Sequence, residues 1–98
     1  MNNSRAFNEY ILNDLKTDED IKEWLNIGFE EFLQDNDLNT FVKVLEYAVR
    51  AKDSILGISK KTGISRSNLY AIFKGEQQPQ LSTALKIIKE LGFSVKVA

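Results

Sequence analysis

Apolar positions along this chain recur mostly every three or four residues, which is the spacing of one face of an α-helix. The first such stripe consists of Ile21, Trp24, Leu25, Gly28, Phe29, Phe32 and Leu33. A second stripe consists of Leu38, Phe41, Val42, Leu45, Ala48 and Val49. The pattern predicts two amphipathic helices, over residues 18–33 and 38–52, with Thr17 and Asp37 as their N-caps.

After residue 53 the segments with helical spacing of apolar residues become shorter. Two short helices are predicted at 54–61 and 65–74, with a break at 62–64 and an end at Gly75. A last helix follows Pro79 and closes at Gly92. Residues 7–12 are apolar enough to pack, but they are too few to assign and are interpreted as an arm. The sequence therefore predicts an all-α fold of about five helices.

The C-terminus changes to a two-residue period, in which Phe93, Val95 and Val97 alternate with polar residues. This alternation is typical of a β-strand. A lone strand exposes unpaired backbone groups, so we expect it to pair with the arm or with the same strand of a second copy. The second arrangement would make a homodimer.

The amino-acid composition excludes several kinds of reactive and metal-binding site. The chain has 98 residues, enough for one domain, and it contains neither cysteine nor histidine. Disulfides, thiol nucleophiles and zinc-thiolate sites are thereby excluded, and most other nucleophilic or metal chemistry becomes improbable. The N-terminus lacks the features of a signal peptide, and no apolar run approaches a membrane span, which favours a cytoplasmic protein.

Charge is distributed unevenly between the two halves. Residues 1–46 contain four basic and eleven acidic residues, a net charge of −7, whereas residues 47–98 contain nine and three, a net charge of +6. The overall charge of −1 hides a basic half that is compatible with nucleic acid. Within one domain over 1–98 we therefore distinguish an acidic part, 1–52, from a DNA-binding part, 53–98.

The residues around Gly63 have the spacing of a helix-turn-helix. A glycine is needed where the chain reverses in a left-handed conformation, and small or apolar residues must lie at fixed offsets for the helices to cross closely. The residues at those offsets are Ile58, Ser59, Ile64, Leu69 and Ile72. The same glycine is also common in helical bundles that bind no DNA.

The second helix of this motif presents residues suited to the major groove. Base reading is predicted for Arg66, Ser67, Tyr70 and Ala71, with Arg66 able to bind guanine through two hydrogen bonds. Phosphate contacts are predicted for Lys60, Lys61, Ser65, Asn68 and Lys74. Tyr70 is ambiguous, because its ring could instead pack beside Phe73.

Three other functions are disfavoured. The spacing of Asp35, Asp37, Asn39 and Glu46 matches a calcium loop, but Thr40 replaces the required glycine and Glu46 belongs to a predicted helix. Adjacent carboxylates such as Glu30 and Glu31 point about 100° apart on a helix and cannot converge on one bond, so an enzyme is improbable. The aromatic residues fall on apolar stripes and are better explained as core than as a stacking platform.

The chain also resembles a known family. The run TGISRSNLY, residues 62–70, followed by PQLSTALKIIKELG, residues 79–92, is similar to addiction-module antidote proteins, HigA-like antitoxins with a lambda-repressor-like (Xre-type) helix-turn-helix. FNEYILNDLKTDEDIKEWLN, residues 7–26, resembles the start of the same family. The chain departs from the family pattern at Asp53, Gly57 and Ser59.

The resemblance implies a partner: a small basic toxin of the RelE/ParE superfamily. An acidic N-terminal half could complement such a toxin while leaving the DNA-binding face open. Candidate toxin-facing residues are Asp14, Asp18, Glu19, Asp20, Glu23, Glu30 and Glu31. A run of charges is more often a solvated helix face.

The expected function is that of a dimeric antitoxin that also represses its own operon, with neither cofactor nor metal. A symmetric dimer would place two recognition helices about 34 Å apart and prefer a palindromic operator. Two alternatives stay open: a phage-type repressor with no toxin partner, and an interaction module whose helix-turn-helix does not touch DNA.

Overall fold

Six α-helices follow one another in residues 9–95, the part of the chain that the computed structural model describes. They are α1 (Glu9–Asp14), α2 (Asp18–Asp35), α3 (Leu38–Lys52), α4 (Ile55–Thr62), α5 (Arg66–Lys74) and α6 (Leu81–Glu90). The predicted all-helical class is confirmed. The sequence missed α1, which is only six residues long and was interpreted as part of an arm.

Both predicted caps of the long helices are confirmed. Thr17 Oγ1 accepts a hydrogen bond from the backbone N–H of Asp20, whose carboxylate in turn accepts from the backbone N–H of Thr17, with both contacts at 3.1 Å. Asp37 accepts from the backbone N–H and the hydroxyl of Thr40. Each carboxylate is stabilised in its charged form by these donors, which lower the pKa values of Asp20 and Asp37.

Helices α2 and α3 form a close pair. Gly28 allows this approach, because a Cβ at that position would lie 2.7 Å from a methyl group of Val44. Beside it, the indole N–H of Trp24 donates to the Val44 carbonyl at 2.8 Å, and its ring meets Tyr47 edge-on at 5.7 Å between centroids. The predicted core role of Trp24 is thus confirmed, with a polar anchor added.

Helix α3 occupies the centre of the fold and contacts α2 on one side and α4, α5 and α6 on the other. Its residues Leu45, Ala48 and Val49 are fully enclosed. The core continues without a break into the C-terminal half, through Ile58, Leu69, Phe73, Ile87 and Ile88. The acidic and basic halves of the sequence therefore share one hydrophobic core.

The predicted C-terminal strand is not found among the described residues. Phe93 and Val95 instead pack, half-buried, against the core of their own chain. The backbone N–H of Phe93 donates to the Ile88 carbonyl at 3.1 Å, and Lys52 Nζ lies 5.5 Å from the Phe93 ring centroid. Packing against the core removes apolar surface of both side chains from water. Val97 lies outside the described residues, and dimerisation through this segment stays a prediction.

Candidate nucleic-acid interface and acidic surface

The turn between α4 and α5 is fixed by four hydrogen bonds, two donated by side-chain hydroxyls and two by backbone N–H groups. Gly63 adopts the left-handed conformation, with φ 81°, and its N–H donates to the Ser59 carbonyl at 2.9 Å. The Ser59 hydroxyl donates to the Ile64 carbonyl at 2.6 Å. The buried hydroxyl of Thr62 donates to the Ile58 carbonyl and accepts from the Ile64 N–H. The two helices are thus held at one relative orientation.

The residues predicted to pack this turn do so. Ile58 and Leu69 are fully buried, Ile72 is buried, and Ile64 packs half-buried against the same core. Ser59 departs from the family pattern, and sequence analysis did not indicate what its hydroxyl does. Its hydroxyl satisfies a turn carbonyl that alanine would leave to water.

The opposite side of α5 is exposed and polar. Ser65 caps the helix by accepting a hydrogen bond from the Asn68 N–H at 3.1 Å. The side chains of Arg66, Ser67, Asn68 and Lys74 are exposed, and Ala71 is partly covered. Tyr70 is 39% exposed, so its ring lies at the surface and not in the core beside Phe73. The four residues predicted to read bases share this outward side.

The lysines predicted to contact phosphate differ in their surroundings. Lys60 is exposed at the end of α4. Lys61 instead forms an ion pair within the chain, with its Nζ 2.7 Å from Asp53 Oδ2, and this hydrogen bond lowers the pKa of Asp53. The Asp53 carboxylate fits over the first turn of α4 because Gly57 has no Cβ there. The unexpected residues Asp53 and Gly57 therefore belong to one arrangement that fixes Lys61.

Helix α3 adds residues to this surface that the sequence did not indicate. A cleft of about 520 Å³ between α3 and α5 brings Lys43, Glu46 and Arg50 opposite Ser67, Tyr70 and Lys74. A second cleft, of about 380 Å³, brings Arg50 beside Arg66 and Tyr70. The sequence did not indicate Lys43 and Arg50 as part of this surface, because α3 precedes the turn in the chain. In addition, Lys43 belongs to the acidic half that ends at residue 46, whereas Arg50 belongs to the basic half.

Glu46 is the buried acid of the first cleft, with a side chain only 6% exposed. Its Oε2 lies 3.4 Å from Arg50 Nη2, and its Oε1 lies 3.6 Å from Lys43 Nζ. Burial raises the pKa of Glu46, although Lys43 and Arg50 act in the opposite direction. The side chain that could have closed a calcium loop thus pairs with two cations of its own helix.

The acidic residues of α2 form a separate surface. Glu19, Glu23 and Glu30 line a shallow groove of about 380 Å³ together with Asn26 and Ile27. Ile27 is an apolar side chain, 52% exposed, among these carboxylates. The sequence analysis did not single out Ile27, because it lies outside the buried stripe and isolated exposed apolar residues are common.

Other acidic candidates are used within the chain. Asp18 Oδ1 lies 2.7 Å from Lys52 Nζ, which ties the start of α2 to the end of α3. Asp20 belongs to the cap of α2 and also lines the groove. Asp14 and Glu31 are exposed outside the groove lining.

Residues 9–95 contain neither a candidate metal site nor a candidate membrane-spanning helix. Within this range no group of three or more carboxylates is close enough to hold a metal ion. Among the six helices none combines the length and apolarity needed to cross a membrane.

Comparisons with known proteins identify the family. The family model described as "Probable addiction module antidote protein" matches residues 6–98. An uncharacterized protein of Haemophilus influenzae strain Rd is 30% identical over 83 residues, which cover 85% of this chain and 80% of that protein. No solved structure matches the chain significantly. The chain belongs to the family of probable addiction module antidote proteins.

Proposed function

We propose that this protein is a DNA-binding antitoxin that represses its own operon and neutralises a small basic toxin of the RelE/ParE superfamily. Membership of the antidote family supports the antitoxin role itself. The DNA-binding role, the toxin class and autorepression go beyond that membership. In this proposal the protein acts by binding and performs no catalysis.

The observation that carries the DNA-binding role is the two-sided character of α5. Its Leu69, Ile72 and Phe73 are buried, while Arg66 and Tyr70 lie on the exposed side. A helix anchored in this way can enter the major groove without losing core contacts. The Gly63 turn fixes its angle against α4, which suits a helix-turn-helix.

The acidic groove on α2 supports the toxin-binding role. An exposed apolar side chain among charged ones suits an interface, because the apolar anchor is desolvated on binding while the charges steer the partner. The groove that holds Ile27 is lined by four carboxylates and one cation, Lys22. Helix α3 lies between α2 and α5, so both surfaces can be occupied at once.

A homodimer completes the proposal. Two copies of α5 about 34 Å apart would enter successive major grooves of a palindromic operator. Either α6 or the segment that starts at Phe93 could supply the dimer contact. Sedimentation equilibrium of the full chain tests this directly, and a monomer at micromolar concentration would contradict it.

Substitution of Arg66 by alanine tests the assignment of roles on α5. Loss of a bidentate contact with guanine should cost about 1–3 kcal/mol of discrimination at one base pair. Lys60→Ala is the matched control, because loss of a phosphate contact should weaken specific and random duplexes alike. Lys61 is less suitable, since its removal also breaks the ion pair with Asp53.

The measurement is a binding titration of both variants on the upstream DNA of the gene and on a random duplex. Equal losses for Arg66→Ala on both duplexes would refute base reading by Arg66. Absence of salt-dependent duplex binding by the unmodified protein would favour the interaction module. Specific binding without any toxin partner would favour the phage-type repressor.

A further inference from the structure

Two basic residues of α3 lie beside the exposed side of α5, although the sequence places α3 in the acidic part of the chain. Lys43 and Arg50 are seven residues apart, which places them on one face of the helix. Both line the cleft whose other wall is Ser67, Tyr70 and Lys74. Arg50 and Tyr70 also line the second cleft, next to Arg66, so Arg50 lies where the two clefts meet.

We propose that Lys43 and Arg50 form a second phosphate-binding row on α3, positioned by the buried carboxylate of Glu46, alongside the recognition surface of α5. This inference rests on the proposed DNA-binding function. It adds to that function a helix outside the helix-turn-helix, and it assigns Glu46 as a positioning residue that does not touch the DNA.

The geometry of Glu46 supports a positioning role. Its side chain is 94% covered, and its Oε2 accepts a hydrogen bond from Arg50 Nη2 at 3.4 Å. Its Oε1 has no hydrogen-bond partner among the described residues but forms an ion pair with Lys43 Nζ at 3.6 Å. Since Lys43 and Arg50 keep side-chain exposures of 46% and 33%, each remains accessible on its outer side. A buried anchor and an exposed cation together reduce the rotamer entropy that a long side chain loses on binding.

The charge of the cleft favours an anionic partner. Lys43, Arg50 and Lys74 outnumber the acids Glu46 and Glu76 in its lining, and Glu46 is shielded from the surface. Seven residues of α-helix rise about 10 Å, so the two cations can meet different phosphates. A guanidinium is well suited to a phosphate, because its donors match two phosphate oxygens.

The test measures how affinity for the upstream DNA depends on salt, for the unmodified protein and for Lys43→Gln and Arg50→Gln. Each lost phosphate contact should reduce the slope of log K against log salt by about 0.9. Between 50 and 200 mM salt, each variant should then lose about 3.5-fold less affinity than the unmodified protein. The effect should be the same on a random duplex, because phosphates carry no sequence.

Two further variants separate charge from folding. Lys16→Gln removes an exposed lysine that precedes α2 and does not line the cleft, so it should leave the slope unchanged. Arg50→Lys keeps the positive charge and should retain the slope that Arg50→Gln loses. Should Arg50→Gln unfold because it removes one of the two cations that pair with Glu46, Lys43→Gln decides the question. Lys43 is half exposed, and thermal melting can verify that the Lys43→Gln variant is folded.

The outcomes distinguish this inference from the proposed function. Salt-dependent binding by the unmodified protein, with slopes for Lys43→Gln and Arg50→Gln equal to that of Lys16→Gln, would overturn the α3 row and leave the proposed function intact. No duplex binding by the unmodified protein would overturn both. Reduced slopes with retained folding would establish the second row.

Discussion

At the scale of single residues, Glu46 shows how a buried charge is retained. A carboxylate with 6% side-chain exposure would normally be replaced by an apolar residue or neutralised. Here Lys43 and Arg50 offset part of the desolvation penalty. Since the pKa is nevertheless raised above the ordinary 4.5, desolvation outweighs the two ion pairs.

The raised pKa predicts a pH dependence of stability. As pH falls from 7 through the pKa of Glu46 in the native state, Glu46 binds a proton in the native state while it remains deprotonated in the unfolded state. This difference in proton binding raises the free energy of unfolding. Glu46→Gln cannot take up this proton. The unmodified protein should therefore gain stability relative to the variant on acidification, as measured by urea unfolding between pH 4.5 and 7.

The lowered pKa values of three aspartates do not obscure the comparison between the unmodified protein and Glu46→Gln. Hydrogen bonds lower the pKa values of Asp20, Asp37 and Asp53 in the native state, so their stabilising contribution is lost mainly as pH falls below the measured range. The same contribution is present in Glu46→Gln and cancels in the difference. A difference between the unmodified protein and Glu46→Gln that stays constant across the range would contradict the account of Glu46.

At the scale of elements, the turn between α4 and α5 depends on one glycine conformation. Gly63 has φ 81°, and apart from its own residue and its two chain neighbours no atom lies within 4 Å of the position that a Cβ would occupy. Gly63→Ala should therefore destabilise the protein through backbone conformation alone, by about 1–2 kcal/mol. Gly63→Asn should cost less, because asparagine adopts the left-handed region more readily.

Thermal or urea unfolding of both variants measures these costs. An alanine variant as stable as the unmodified protein would show that the turn can adopt another backbone conformation. The angle between α4 and α5 would then be set by side-chain packing and not by the glycine.

The other element with a predicted role is α2 and its acidic groove. Glu23→Lys reverses one charge beside Ile27 and should weaken binding of a basic toxin at least tenfold, because a like charge now faces the partner. Glu90→Lys at the end of α6 is the matched control, since it makes the same charge change away from the groove.

Titration calorimetry with a small basic toxin of the proposed RelE/ParE class would measure both affinities. Equal affinities for the two variants would remove the groove from the toxin interface. Failure of the unmodified protein to bind would reject this toxin as a partner.

The elements also show what sequence can and cannot predict. Helices α2 to α6 were predictable because their apolar spacing, caps and terminal glycines are local signals, as with Thr17, Asp37 and Gly63. Interactions between distant residues were not: the Asp18–Lys52 ion pair joins residues 34 apart, and the groups that surround Lys43 and Arg50 depend on how α3 packs against α5. The position of Phe93 depends likewise on competition between strand formation and packing.

At the scale of the whole molecule, the separation of charge in the sequence becomes a separation of surfaces. The acidic groove lies on α2 and the basic surface on α5, with α3 packed between them. The two surfaces do not follow the sequence division between residues 1–46 and 47–98, because Lys43 of α3 lines the cleft beside α5. One chain can thus present one surface to a cationic protein and the other to DNA.

Binding of the full chain to the DNA upstream of its own gene, against a random duplex of equal length at two salt concentrations, tests the central claim most directly. We predict strong preference for the upstream DNA, together with affinity for both duplexes that falls as salt rises. Absent binding, or equal binding to both duplexes at both salt concentrations, would contradict the assignment of α5 as a recognition helix.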